Sequence, residues 1–114
     1  MPYLKIQTNQ NLDETARLAL MKKASATVAR QLGKPENYVM VTLQCAQNML
    51  FAGSDGALAY LELKSIGLPE SATQGLSDSL CTLMAQELDI EKNRTYIEFA
   101  DAPRHMWGWN GSTF

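Results

Sequence analysis

Two stretches half a chain apart carry the same succession of signals, and that repeat limits the fold of this 114-residue chain more than any other feature. YLKIQT from Tyr3 resembles YLELKS from Tyr60, ARQL ending at Leu32 resembles AQEL ending at Leu88, and Asn37 matches Asn93, all at an offset of about 56–57 positions. Each half reads strand, helix, strand. PYLKIQT alternates Leu4 and Ile6 against Lys5 and Gln7. Asn11 with Glu14 has the spacing of a capping box, which predicts a helix from about Asp13 to Leu32. Leu18, Met21, Val28 and Leu32 form its expected apolar stripe, Gly33 its stop, and Pro35 returns the chain to extended geometry. YVMVTLQC is a second strand, followed by the turn-rich NMLFAGSDG. In the second half ALAYLELKS is a strand. Pro69 suits the first turn of a helix, with Ser71 and Gln74 as its capping box, and that helix runs to about Leu88 with Leu76, Leu80, Leu83, Met84 and Leu88 inward. RTYIEFA is the answering strand and PRHMWGWNGSTF an aromatic tail.

A strand–helix–strand connection places its two strands parallel, with a right-handed crossover. Two such units, about 2–56 and 57–114, give an α+β fold: a four-stranded mixed sheet with two helices on one face, in a single domain spanning 1–114. The strands YVMVTL and LAYLEL carry apolar residues toward both faces, Val39 and Val41 against Met40 and Leu43, and Leu58 and Tyr60 against Ala59, Leu61 and Leu63, so the uncovered face is expected to be apolar and to close against other copies.

Composition excludes several classes of partner. A net charge of −2 with scattered basic residues argues against nucleic acid. No apolar run approaches the roughly 18 residues a membrane span needs. No basic segment followed by an apolar one marks a signal peptide, so a cytoplasmic protein is the expectation. Cys45 and Cys81 have neither CxxC nor zinc spacing and are expected to be buried as small hydrophobes.

The first residues raise a chemical question. Pro2 is an acceptable strand start, because the donor it lacks is not needed there. It is equally a residue after which Met1 is removable, and removal leaves a free secondary amine. Desolvation and a neighbouring cation would lower that amine's pKa toward neutrality, where a general base works best. Lys34 is a candidate cation, although at a helix C-terminus it also simply complements the macrodipole.

MP at the start, GKP after the first helix, SIG ending the third strand, YI in the fourth and the ending GWNGSTF occur in order over the whole chain, with one apparent extra residue before Lys34. Together they resemble the macrophage migration inhibitory factor family, within the tautomerase superfamily. The resemblance implies a homotrimer whose sheets line a central channel, with active sites at subunit interfaces. It also implies cofactor-free and metal-free keto–enol tautomerisation of small aromatic 2-oxo acids such as phenylpyruvate, and of dopachrome derivatives. By the same resemblance Pro2 is the general base and Lys34 holds the substrate carboxylate. Ser65 and Ile66 lie against the ligand, with the Ile66 backbone N–H as a donor. Tyr96 enters a neighbouring subunit's pocket, while Met106, Trp107, Trp109 and Phe114 form apolar walls. Without the resemblance, Tyr96 reads as ordinary strand packing, Ile66 as core, the tail as subunit contact and His105 as a surface residue. Glu98 stands where the family has asparagine, and is expected near the pocket mouth, where it would act on anionic substrates. Leu58, Ala59, Tyr60 and Leu61 replace the CxxC of vertebrate members, which argues against thiol–disulfide chemistry. The competing reading is a cytokine-like protein acting through its surface, since the family leaves cells without a signal peptide. Leu12 and Asp13 stand where that role expects arginine, and Ala46 where it expects aspartate.

Overall fold

The computed structural model describes residues 1–114. Its elements run β1 (Tyr3–Thr8), α1 (Glu14–Leu32), β2 (Met40–Gln44), β3 (Ala59–Ile66), α2 (Thr73–Leu88), β4 (Thr95–Ala102), and the short β5 (Gly108–Trp109) and β6 (Ser112–Thr113). The main sheet has the order β2-β1-β3-β4. Pairs β1–β2 and β3–β4 are parallel, and β1 and β3 meet antiparallel at the centre. Both βαβ units are therefore present, placed side by side in one mixed sheet. Neither helix is long and apolar enough to cross a membrane.

Strand alternation sorts the sheet into two faces. Leu4 and Ile6 of β1 and Ala59, Leu61 and Leu63 of β3 are buried against Leu20, Ala24 and Val28 of α1 and Leu76, Leu80, Met84 and Leu88 of α2. The register places Val41 and Leu43 beside Leu4 and Ile6, and Ile97 and Phe99 beside Leu61 and Leu63, so these edge-strand residues face the helices too. What remains on the open face is Tyr3, Lys5, Gln7, Thr42, Gln44, Tyr60, Glu62, Lys64 and Glu98, with Met40, Ile66, Tyr96, Ala100 and Ala102 as its further apolar or aromatic residues. The expected apolar second face is thus corrected to a mixed one, with polar residues at its centre. Leu43 has the parity of Val41, not of Met40, and Leu61 and Leu63 belong to the core. Across this face Tyr60 bridges to Glu62 at 3.1 Å and to Glu98 at 3.0 Å. Burial, then hydrogen bonds to Glu98 and Glu62, push the Tyr60 phenol up to about 12.

The helix starts also differ from the sequence reading. Asp13, not Asn11, caps α1, its carboxylate accepting from the Ala16 N–H at 2.8 Å. Asn11 instead accepts from Arg17. The apolar row is Leu20, Ala24, Val28, an unbroken i, i+4 series, whereas Leu18 is 51% exposed. Pro69 opens a 3₁₀ turn over Glu70–Ala72, and α2 begins at Thr73 with no side-chain cap, so no Ser71–Gln74 box forms. Both helices end on a left-handed residue. Gly33 (φ 62°) is the expected one; Asp89 (φ 55°) occupies the same place after α2 without glycine's freedom. Cys81 is buried as expected, but Cys45 is only half-buried.

Candidate active site

The topology gathers four separated segments at one end of the sheet. β1 and β2 start there and β3 ends there, because β3 runs antiparallel to β1; β4, parallel to β3, ends there as well. Pro2 precedes β1, Lys34 lies between α1 and β2, Ser65 and Ile66 close β3, and the aromatic tail leaves β4. Pro2 is buried, and its carbonyl accepts from the Met40 N–H at 3.0 Å, which ties the N-terminus to the start of β2.

Lys34 is placed by the stop of α1. The Gly33 N–H donates to Arg30 O and the Lys34 N–H to Ala29 O, the double bond pattern of a Schellman motif. From there Lys34 Nζ reaches the end of β3, donating to Ser65 Oγ at 3.1 Å and to the Ile66 carbonyl. Ser65 is the last inward residue of β3 and is fully buried, so Lys34 closes the edge of the core while its ammonium stays beside the N-terminus.

A cleft of about 570 Å³ opens at this end. Met1, Pro2, Tyr3, Tyr38, Trp107 and Trp109 are among its lining, with Phe114, Met40 and Lys64. The tail folds into a β5–β6 hairpin turning at Asn110 (φ 53°) and Gly111 (φ 76°), both left-handed, as a two-residue Asn-Gly turn requires. The hairpin stacks Trp109 on Phe114 at 5.2 Å between ring centroids, and Tyr38 meets both edge-on at 5.7 and 6.1 Å. The result is a rigid aromatic wall facing an amine.

That amine is held in its basic form. Burial first, then the charge and hydrogen bond of Lys34 and the charge of Arg104, lower the Met1 α-amino group from 8.0 to about 6. The amine so affected is that of Met1; the Pro2 nitrogen is an amide while Met1 is attached, so the structure shows a cleft that depresses an amine, with Pro2 in its lining and an ammonium beside it.

The description of the matching family model, macrophage migration inhibitory factor, applies to residues 1–114. The chain belongs to the macrophage migration inhibitory factor family. It is 44% identical over 115 residues to the homologue from Brugia malayi, covering 100% of this chain and 99% of the relative. It is 41% identical over 115 residues to the homologue from Wuchereria bancrofti, with the same coverage. Among solved structures, the homologue from Prochlorococcus marinus superposes with a TM-score of 0.92 at 43% identity, covering 98% of both chains. The fold of the macrophage migration inhibitory factor family, and its tautomerase superfamily, is therefore the fold of this chain.

Within that family fold the expected site residues divide. Pro2, Trp107, Trp109 and Phe114 line the cleft, and Lys34, Ser65 and Ile66 form one hydrogen-bonded cluster beside it. Met106 is 72% exposed and does not line the cleft. It sits in a 3₁₀ turn with Arg104 and the exposed His105. Tyr96 is 64% exposed near the start of β4, packed on Phe51 at 4.6 Å. At about 3.3 Å per residue, the strand carries Tyr96 roughly 20 Å from Ala102 at the cleft end. Glu98 is likewise absent from this chain's own cleft lining, its carboxylate accepting from the Tyr60 hydroxyl.

Four contributors escaped sequence reasoning. Tyr38 reads as an ordinary strand start, and only the tertiary meeting of the α1–β2 connection with the tail makes it a wall. Arg104 and Lys64 are cations whose placement depends on where β4 and β3 end. The hairpin, by contrast, had a usable signal: Asn110-Gly111 between Trp109 and Ser112 is the strongest short-range mark of a two-residue turn.

Proposed function

We propose that this chain is a cofactor-free keto–enol tautomerase of small aromatic 2-oxo acids of the phenylpyruvate and dopachrome type, acting through the Pro2 amine once Met1 is removed. The observation that carries the reading is a cleft walled by Tyr38, Trp107, Trp109 and Phe114, with Pro2 in its lining, whose burial and nearby Lys34 lower the pKa of a terminal amine. The neutral amine takes a proton from the carbon next to the carbonyl. The released electron pair forms the carbon–carbon double bond, and the carbonyl oxygen accepts a proton from solvent to give the enol, while the Pro2 ammonium releases its proton to solvent and the amine is regenerated; the reverse sequence regenerates the ketone. Lys34 holds the substrate carboxylate, Ser65 fixes Lys34, the Ile66 N–H donates to the ligand, and the aromatic wall stacks on its ring.

The same reading includes a homotrimer around a central channel. Its support is the position of Tyr96. A residue at the far end of β4, exposed and apolar-faced, reaches a Pro2 cleft only if that cleft belongs to another copy.

The test is phenylpyruvate tautomerisation by protein whose N-terminus has been defined by intact mass. Turnover is expected in the Met1-free form. It is expected to vanish in the Met1-retaining form, where the Pro2 nitrogen is an amide, and in Pro2→Gly to fall by about 10²-fold or more. Unchanged turnover in Pro2→Gly sinks the assignment of the base. Absent turnover in fully processed protein sinks the enzyme, and a surface-binding role then leads.

A further inference from the structure

The charge around the cleft is one-sided in a way the proposed reaction does not need. Lys64 lines it, and Lys34 and Arg104 lie close enough to act on the Met1 amine in its lining. No acidic side chain is among the lining residues of this chain. The two ion pairs of the chain, Lys23–Glu87 and Lys92–Asp78, lie elsewhere, so none of the three cations is neutralised. The acids of the open face in this chain, Glu62 and Glu98, accept from Tyr60.

The two lysines also approach from different faces of the sheet. Consecutive strand residues point to opposite faces. Lys34 arrives from the helix side and bonds Ser65, the inward residue. Lys64, the preceding residue of β3, is exposed on the open face opposite Tyr3, with no hydrogen bond or ion pair of its own. A single carboxylate at Lys34 leaves Lys64 unanswered. A ligand with a second carboxylate beyond its ring answers both, and a cleft of about 570 Å³ has room for it.

We propose that Lys64 is a specificity-determining residue that selects dianionic substrates, aromatic 2-oxo acids bearing a second carboxylate, with one carboxylate at Lys34 and the other at Lys64. The proposal rests on the tautomerase reading for its substrate class, but the charge selection stands on the cleft alone. It is tested by comparing phenylpyruvate with 4-carboxyphenylpyruvate on processed protein. Lys64→Met is expected to lower the ratio of kcat/KM values, dicarboxylate over monocarboxylate, by roughly tenfold, mainly through KM, the scale of one charge-assisted contact at a solvent-accessible site. Lys64→Arg should restore most of it. A ratio unmoved by Lys64→Met overturns the proposal, as does an equal loss for both substrates.

A second measurement does not need turnover. Trp107 and Trp109 are the only tryptophans and both line the cleft, so quenching of their fluorescence reports binding. Benzene-1,4-dicarboxylate should bind more tightly than benzoate to the wild type, and that preference should be lost in Lys64→Met. If the preference is present but neither oxo acid turns over, the selectivity holds and the tautomerase reading falls. If phenylpyruvate turns over and the preference is absent, the reverse is true.

Discussion

Lys34 is assigned two tasks in the proposed reaction, and pH separates them. One is to depress the amine; the other is to hold a carboxylate. Consider Lys34→Met, which keeps the apolar stem and removes the charge. In the Met1-bearing chain the α-amine is lowered from 8.0 to about 6 by burial first, then Lys34, then Arg104. If the processed amine responds alike, an amine of pKa about 6 is about nine-tenths neutral at pH 7, while one of pKa about 8 is about one-tenth neutral. The largest ionisation penalty the variant can suffer at pH 7 is therefore about tenfold. It must be smaller than that, because burial and Arg104 remain. The acid limb of the kcat/KM profile should move to higher pH, and the penalty should disappear by about pH 9, where either amine is neutral. Loss of the carboxylate contact has no such escape. It should persist at pH 9 as a rise in KM worth about 1–2 kcal/mol, or about five- to thirtyfold. The assay is a pH series of kcat/KM for phenylpyruvate on wild type and variant. An acid limb that stays in place means that Lys34 does not set the state of the base. A defect that vanishes completely at pH 9 means that it does not hold the carboxylate.

Other predictions bear on the fold and on the unprocessed terminus. Leu20→Ala should destabilise by about 2–4 kcal/mol and Leu18→Ala by under about 1, read by urea denaturation, because only Leu20 is in the core; equal losses would restore the stripe expected from sequence. Gly33→Ala should cost about 1 kcal/mol through backbone strain alone, since an added Cβ meets nothing within 4 Å, whereas Asp89→Gly should stabilise by a similar or smaller amount. In Met1-bearing protein the folded amine binds fewer protons than the unfolded one between about pH 6 and 8, so stability should rise with pH across that window and level off on either side. An N-acetylated chain should lack that slope, and denaturation midpoints of the two forms at pH 5, 7 and 9 decide the point.

The two βαβ units, the helix stops and the core of α2 were legible because each is a local pattern: period-2 alternation, a 3.6 period, a glycine before a proline. The register across strands was not local. Assigning Leu43 to the wrong face came from reading an apolar run without its partner strand, and the pairing of Leu43 with Ile6 resolves it. The caps failed for a related reason. Asn11 and Asp13 are both competent, and the one that caps is decided by where the chain enters the helix after β1. Of the site, Pro2, Lys34 and the tail were legible through the family motifs, while Tyr38, Lys64 and Arg104 come from segments distant in sequence that meet only once the sheet has assembled.

The repeat explains why the candidate site lies at one end of the sheet and not at the other. Its offset carries Tyr3 onto Tyr60, Gly33 onto Asp89, Lys34 onto Ile90 and Met40 onto Tyr96. The two left-handed helix stops coincide, and each is followed by an extended residue and a 3₁₀ turn, Glu36–Tyr38 in one half and Lys92–Arg94 in the other. The second end therefore has the same backbone plan. It differs in three side-chain facts: β3 is entered from a loop and not from a chain terminus, Ile90 is fully buried where Lys34 is a cation, and Arg94 spends its guanidinium on the carbonyls of Phe51, Ser54, Gly56 and Ala57. An amine, a cation and a wall meet at the first end. At the second, Leu50, Phe51, Leu58 and Tyr96 leave only an apolar groove. Duplicating the fold duplicated the pocket position but not the amine, because a chain has only one N-terminus.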